Sequence, residues 1–167
     1  MLIVIAGIKR SGSTAQFNIV RIALETAGYT VNVQGQDYKL NDNVNVVKIH
    51  PFRQRLAEEA DYIFLTDRDD KEIEASLYRF NGDNVPNGKI SKMRTYLDAW
   101  KQYKHCMCGY CLLETSPKAY VKRITDYLWF DVDHEYVYEA FKEIKPPKSG
   151  HDPKTLLFHN HITNDHS

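Results

Sequence analysis

The chain has 167 residues, 43% of them hydrophobic, and its 22 basic residues are balanced by 22 acidic ones. That length predicts one domain with a workable core, and the even charge leaves no broad field to hold nucleic acid or an acidic membrane, so any anion site must be local. No apolar stretch is long enough to span a bilayer, the start lacks a charged segment with a cleavage site, and three cysteines are an odd number in a disulfide-poor chain; a soluble cytoplasmic protein is expected.

The first element is a buried strand over Leu2–Ala6, an unbroken apolar run of the kind found in parallel sheets. Residues 7–14 then read GIKRSGST, with Gly7 and Gly12 in phosphate-loop spacing followed by Ser13 and Thr14. Such glycines let backbone N–H groups surround an anion at a helix N-terminus. Serine stands where a nucleotide triphosphatase carries the lysine that reaches the β- and γ-phosphates, and the cations are Lys9 and Arg10 instead, which points to a different anion. Apolar residues at Ile19, Val20, Ile22, Ala23 and Leu24 predict a helix over Ala15–Ala27 with Gly28 as its C-cap.

Next come a strand at Tyr29–Gln34, a polar loop around Asn41–Asn43, a strand at Val44–Ile49, a short helix from about Phe52 to Ala60, a strand at Tyr62–Thr66 and a helix from about Lys71 to Phe80. Strands alternating with helices imply right-handed crossovers, a mainly parallel sheet, and ligands outside the strand C-terminal ends. The stretch Asn81–Gly88 reads as a mobile loop. Helices are expected at Ser91–Tyr103, Ser116–Leu128 and Asp133–Ile144, with Tyr96, Trp100 and Tyr103 on one face. A tail rich in Pro, Gly and His follows from Pro146 and cannot be a regular helix.

Two further segments can carry chemistry. Lys48 and His50 share one side of a strand that ends at Pro51, which pairs a cation with a group able to take a proton from a hydroxyl. Taken alone, that pair also reads as a surface lysine and a histidine at a strand end. Arg68, at the mouth of the next strand, and Ser76, in the helix beyond, offer a planar fork and a hydroxyl; they converge on one phosphate only if the helix folds back over the strand end. Arg68 is also flanked by Asp67, Asp69 and Asp70, with which it could pair.

In this order, GIKRSGST after a first strand, Lys48-Ile-His50-Pro51 at the end of a later one, and Arg68 with Ser76 resemble the sulfotransferase family that uses 3′-phosphoadenosine 5′-phosphosulfate (PAPS). The tail adds Lys148-Ser-Gly150 and Phe158-His-Asn160-His161-Ile-Thr163, similar to the family's closing segment. The resemblance spans Met1 to about Phe80 and the last twenty residues. It implies an α/β, three-layer fold of the P-loop type, with a mainly parallel central sheet and a helical second half. A single domain would hold the cofactor in residues 1–80, with a helical part at 91–145 and an irregular lid at 146–167. It also implies that Lys9, Arg10, Ser11, Gly12, Ser13 and Thr14 bind the 5′-phosphosulfate, that Arg68 and Ser76 bind the 3′-phosphate, and that Lys148 and Gly150 cover it. By the same resemblance His50 is the catalytic base, Lys48 and Arg10 assist the transferring group, adenosine 3′,5′-bisphosphate (PAP) is the product, and the acceptor is a small molecule or saccharide with a hydroxyl or amine. No metal is implied. The chain departs from the family in being short, in having Ala15 where a tryptophan often stands, and in reading His159-Asn160-His161 where Lys-Asn-His is usual.

Other function classes share some of these features. A nucleotide or metabolite kinase would use the same loop and sheet, with Asp67 as the one well-placed carboxylate for Mg²⁺. A non-catalytic nucleotide- or zinc-binding module would draw on His105, Cys106, Cys108 and Cys111, which are enough ligands for a tetrahedral ion but cramped in spacing; free thiols at a helix end are the alternative.

Overall fold

The structure is a computed structural model that describes residues 1–81 and 88–159, with Asn81 described in its backbone alone. Residues 82–87 of the expected loop, and Asn160, His161 and Thr163 of the closing segment, lie outside the described residues. In chain order the elements are β1 (Leu2–Gly7), α1 (Ser13–Thr26), β2 (Val31–Gln34), β3 (Val44–Lys48), α2 (Gln54–Glu59), β4 (Tyr62–Asp67), α3 (Asp70–Asn81), α4 (Lys89–Trp100), β5 (Cys106–Gly109), α5 (Tyr110–Thr115), α6 (Pro117–Thr125), α7 (His134–Lys142), β6 (His151–Asp152) and β7 (Leu157–Phe158).

Five strands form one sheet in the order β2-β3-β1-β4-β5, every neighbouring pair parallel. β1 sits in the middle because its residues are apolar at every position, so both faces can be covered. The two-residue period then sorts its side chains. Ile3 and Ile5 join Phe17, Leu24, Tyr120, Val121, Ile124 and Val137 of α1, α6 and α7, while Leu2, Val4 and Ala6 join Leu56, Ile73, Leu77, Met93, Leu97 and Trp100 of α2, α3 and α4. Helices on both faces of a parallel sheet make three layers. Trp100 is fully buried and packs edge-on to Phe52 with ring centroids 5.1 Å apart.

The second half is mostly helical and also contributes a fifth strand. Cys106–Gly109 pairs with Phe64–Asp67 of β4, so Cys106 and Cys108 belong to the sheet rather than to a helix end. Four residues are too few to show a period, and only the neighbouring strand supplies the hydrogen bonds that make them extended. α5 starts directly after it. In the tail β6 and β7 pair as a short antiparallel hairpin.

Candidate anion-binding site

Because the sheet is parallel, the segments after β1, β3, β4 and β5 all leave it at one edge, and the candidate residues are gathered there. The glycine loop is shaped by left-handed backbone at Gly7 (φ 132°), Arg10 (φ 68°) and Gly12 (φ 91°). A Cβ on Gly7 would lie 2.5 Å from the carbonyl oxygen and Oγ1 of Thr66, so glycine is required by backbone angle and by the close approach of β4. Ser11 Oγ donates to the Ile8 carbonyl at 2.5 Å. A carbonyl can only accept, so the 2.5 Å contact between Ser11 Oγ and Thr66 Oγ1 has threonine as donor. Ser11 is fully buried by this, and its hydroxyl is committed within the loop.

Gly12 is the N-cap of α1, and no side chain bonds to the first amides of that helix. The N–H groups of Ser13 and Thr14 therefore sit at an uncapped helix start, where the peptide dipoles favour negative charge. A Cβ on Gly12 would meet the Tyr110 ring at 3.0 Å and Leu113 at 3.5 Å, so this glycine also makes room for α5.

Arg10 reaches sideways. Its Nε donates to Ser76 Oγ at 3.0 Å, its guanidinium lies 4.4 Å from the centroid of Phe80, and its carbonyl accepts from Arg68 Nη1 at 3.3 Å. Arg68 and Ser76 thus meet the loop at a shared neighbour, Arg10, and not each other. The Arg68 guanidinium stacks on Tyr110 at 3.7 Å, its Nε donates to Glu72 at 2.9 Å, and its Nη2 is 3.6 Å from Glu114. Of the flanking carboxylates, Asp67 and Asp70 pair with Arg94 instead. Arg94 Nη1 donates to Asp67, Nη2 to Asp70 and to the Arg68 carbonyl at 2.6 Å each, and Nε to Asp70 at 2.8 Å.

On the other side of the loop stand Lys48 and His50. His50 Nδ1 lies 2.9 Å from the Gly7 carbonyl. The carbonyl accepts, so Nδ1 carries the proton and Nε2 keeps its lone pair. Burial, and next the Lys48 charge, push the His50 pKa down to about 3, against the opposing effect of the Gly7 bond. Burial also lowers Lys48 to about 8, with Lys9 and Arg10 adding like-charge repulsion. Among the described residues Lys48 has no hydrogen bond or ion pair. A partly buried cation among cations is an arrangement that an anion would relieve.

The remaining candidates lie further out. Lys148 and Gly150 are exposed, and Lys148 makes no hydrogen bond or ion pair with Arg68 or Ser76. They lead into the β6–β7 hairpin, whose Phe158 lies 6.4 Å from Phe80, the ring under Arg10, and whose Thr155 carbonyl accepts from Asn18 of α1 at 2.8 Å. Cys106 and Cys108 are buried with their sulfurs 3.9 Å apart, Cys111 is exposed on α5, and His105 Nδ1 bonds to the Tyr103 carbonyl at 2.7 Å. Among the described residues no group of three or more His, Cys, Asp or Glu is arranged to hold a metal ion. Thr66, Arg94 and Glu114 shape the site without having been singled out in the sequence. They come from three separate elements and carry no local motif.

No protein-family model matches the sequence, and no curated protein matches it. Among solved structures the chain is similar to retinol dehydratase in complex with androsterone and inactive cofactor PAP, with a TM-score of 0.56 at 11% identity over 84% of this chain. The likeness is one of fold. The chain has an α/β fold of the P-loop type and spans 64% of the retinol dehydratase chain. It is also matched to an unliganded sugar kinase from Janibacter sp. at a TM-score of 0.49 and 12% identity, over 80% of this chain and 96% of the kinase. Among the described residues no helix is long and apolar enough to cross a membrane.

Proposed function

We propose that this chain is a sulfotransferase that moves the sulfuryl group of PAPS to a hydroxyl or amine of a small-molecule or saccharide acceptor, within one domain. The observation that carries the reading is the His50–Gly7 hydrogen bond, which holds a neutral, Nδ1-protonated imidazole against the first residue of an anion-shaped loop and beside Lys48, which has no hydrogen bond or ion pair among the described residues. The residues suit a doubly phosphorylated nucleotide. The α1 amides of Ser13 and Thr14, with Lys9 and Arg10, would hold the 5′ end, and Arg68 and Ser76 the 3′-phosphate, under a lid led by Lys148 and Gly150. When bound, the cofactor supplies the activated sulfuryl group. His50 Nε2 takes the acceptor proton, and Lys48 and Arg10 offset negative charge that develops between donor and leaving group.

A phosphoryl-transfer reading finds support in Asp67, a carboxylate at the end of β4 on the same sheet edge as the loop. That carboxylate is bonded by Arg94 and by the Arg68 amide at 2.7 Å, and Ser13 stands where such loops place lysine, so sulfuryl transfer is favoured. Melting temperatures separate the readings, because a ligand that binds only the native protein raises them. PAP should stabilise the protein with or without EDTA. Stabilisation by ATP with Mg²⁺ and none by PAP would establish the kinase reading, and loss of stability with chelator alone would establish a metal-binding module.

A further inference from the structure

Arg68 is held by two kinds of contact. Neutral partners fix its plane: Tyr110 stacks on one face and the Arg10 carbonyl accepts from Nη1. Charged partners neutralise it: Glu72 of α3 on Nε and Glu114 of α5 on Nη2. The Arg68 side chain is only 11% exposed, whereas Glu72 and Glu114 are 51% and 41% exposed. A largely buried guanidinium needs a counter-charge. Two carboxylates on flexible stems at the rim supply it, and both can turn into water when another anion arrives, leaving the stacked plane as it is.

We propose that Glu72 and Glu114 form a carboxylate gate on Arg68: Glu72 accepts from its Nε, Glu114 stands as an ion-pair partner 3.6 Å from its Nη2, and by competing with a nucleotide 3′-phosphate for the guanidinium they set how strongly the site favours nucleotides that carry this phosphate. The inference rests on the assignment of Arg68 to the 3′-phosphate under the proposed function. Each gate residue is a competitor tethered to the same guanidinium. Only a dianion that pairs bidentately with Arg68 replaces both carboxylates at once, whereas a ligand ending at the 5′-phosphate leaves the gate shut.

Titration calorimetry with PAP and with AMP, which lacks the 3′-phosphate, tests this on the wild-type chain, Glu72→Gln, Glu114→Gln and the double variant. Each single variant should bind PAP about two- to fivefold more tightly, the gain expected when a rim ion pair no longer competes, and the double variant more tightly still, with AMP affinity unchanged. Melting curves check that each variant folds. If a glutamine variant does not, Glu72→Asp and Glu114→Asp, which keep the charge but shorten its reach, should give a smaller shift in the same direction. A wild-type preference for PAP that no gate variant increases, or an equal gain for AMP, overturns the gate and leaves the proposed function standing. Equal wild-type affinity for PAP and AMP overturns the 3′-phosphate assignment itself, and the gate with it.

Discussion

Arg10 Nε donates to Ser76 Oγ at 3.0 Å, and this bond joins the glycine loop to the helix packed over the end of β4. Ser76 is buried, with its hydroxyl turned to the loop. Arg68 approaches the same residue from the backbone side, through the Arg10 carbonyl. The three therefore act as one unit, and changing one alters the setting of the others.

Replacing Arg68 by Ala should weaken PAP binding by roughly 2–4 kcal/mol, the loss expected for a charge-assisted phosphate contact in a mostly desolvated setting. AMP should lose less than about 1 kcal/mol, through the Arg10 carbonyl left without its donor. Calorimetric titration of both ligands measures the difference, and an equal loss for the two would remove Arg68 from 3′-phosphate recognition.

His50→Ala should bind PAP nearly as well as the wild type while sulfuryl transfer falls by about 10²- to 10⁴-fold, as for a deleted general base. With its pKa held near 3, the imidazole stays neutral across the ordinary assay range, so the transfer rate should show no acid limb near pH 6.5 from this residue. The same shift has a consequence for stability. Between pH 6.5 and 3 the unfolded chain takes up a proton at His50 that the folded chain does not, so this residue makes the protein less stable as pH falls through that window. His50→Gln should flatten this part of the denaturation profile.

Lys48 titrates near 8 when folded and nearer 10.5 when unfolded, so it destabilises the fold below pH 8 and this cost fades as pH rises from 8 to 10.5. A bound anion favours the charged amine and raises that pKa. PAP affinity should fall as pH rises through about 8, and binding near that pH should take up protons, as read by calorimetry in buffers of differing ionisation enthalpy. Lys48→Met should abolish the uptake and make the native state more stable at neutral pH. Unchanged proton uptake in that variant would place the titrating group elsewhere.

Gly7→Ala and Gly12→Ala should behave differently. The first forces a Cβ to 2.5 Å from Thr66 in a strained backbone region, and strain together with overpacking should cost more than about 3 kcal/mol. The second places its methyl against Tyr110 at 3.0 Å, next to a side chain that can shift, so backbone strain of about 1–2 kcal/mol dominates. Gly12→Ala should also disturb Arg68 through Tyr110 and weaken PAP more than AMP. Urea denaturation of both variants checks the order.

The sequence alone determined the strand, glycine loop and helix at the start and the alternation of strands and helices through α3, because hydrophobic periodicity and turn residues are local signals. It also named the loop cations, His50, Arg68 and Ser76, since their spacing along the chain is what carries the resemblance. Tertiary structure decided which of these side chains meet. Ser11 faces inward because Thr66, 55 residues away, supplies the donor to its hydroxyl, and Arg10 lies between Arg68 and Ser76 because α3 packs beside the loop. β5 became a strand through β4, and α5 follows it to bring Tyr110 onto Arg68. Arg94 on α4 engages Asp67, which the sequence left open as a carboxylate for Mg²⁺. Long-range pairing of this kind depends on the sheet order and on which helices cover each face, and neither is written in the spacing of residues within a segment.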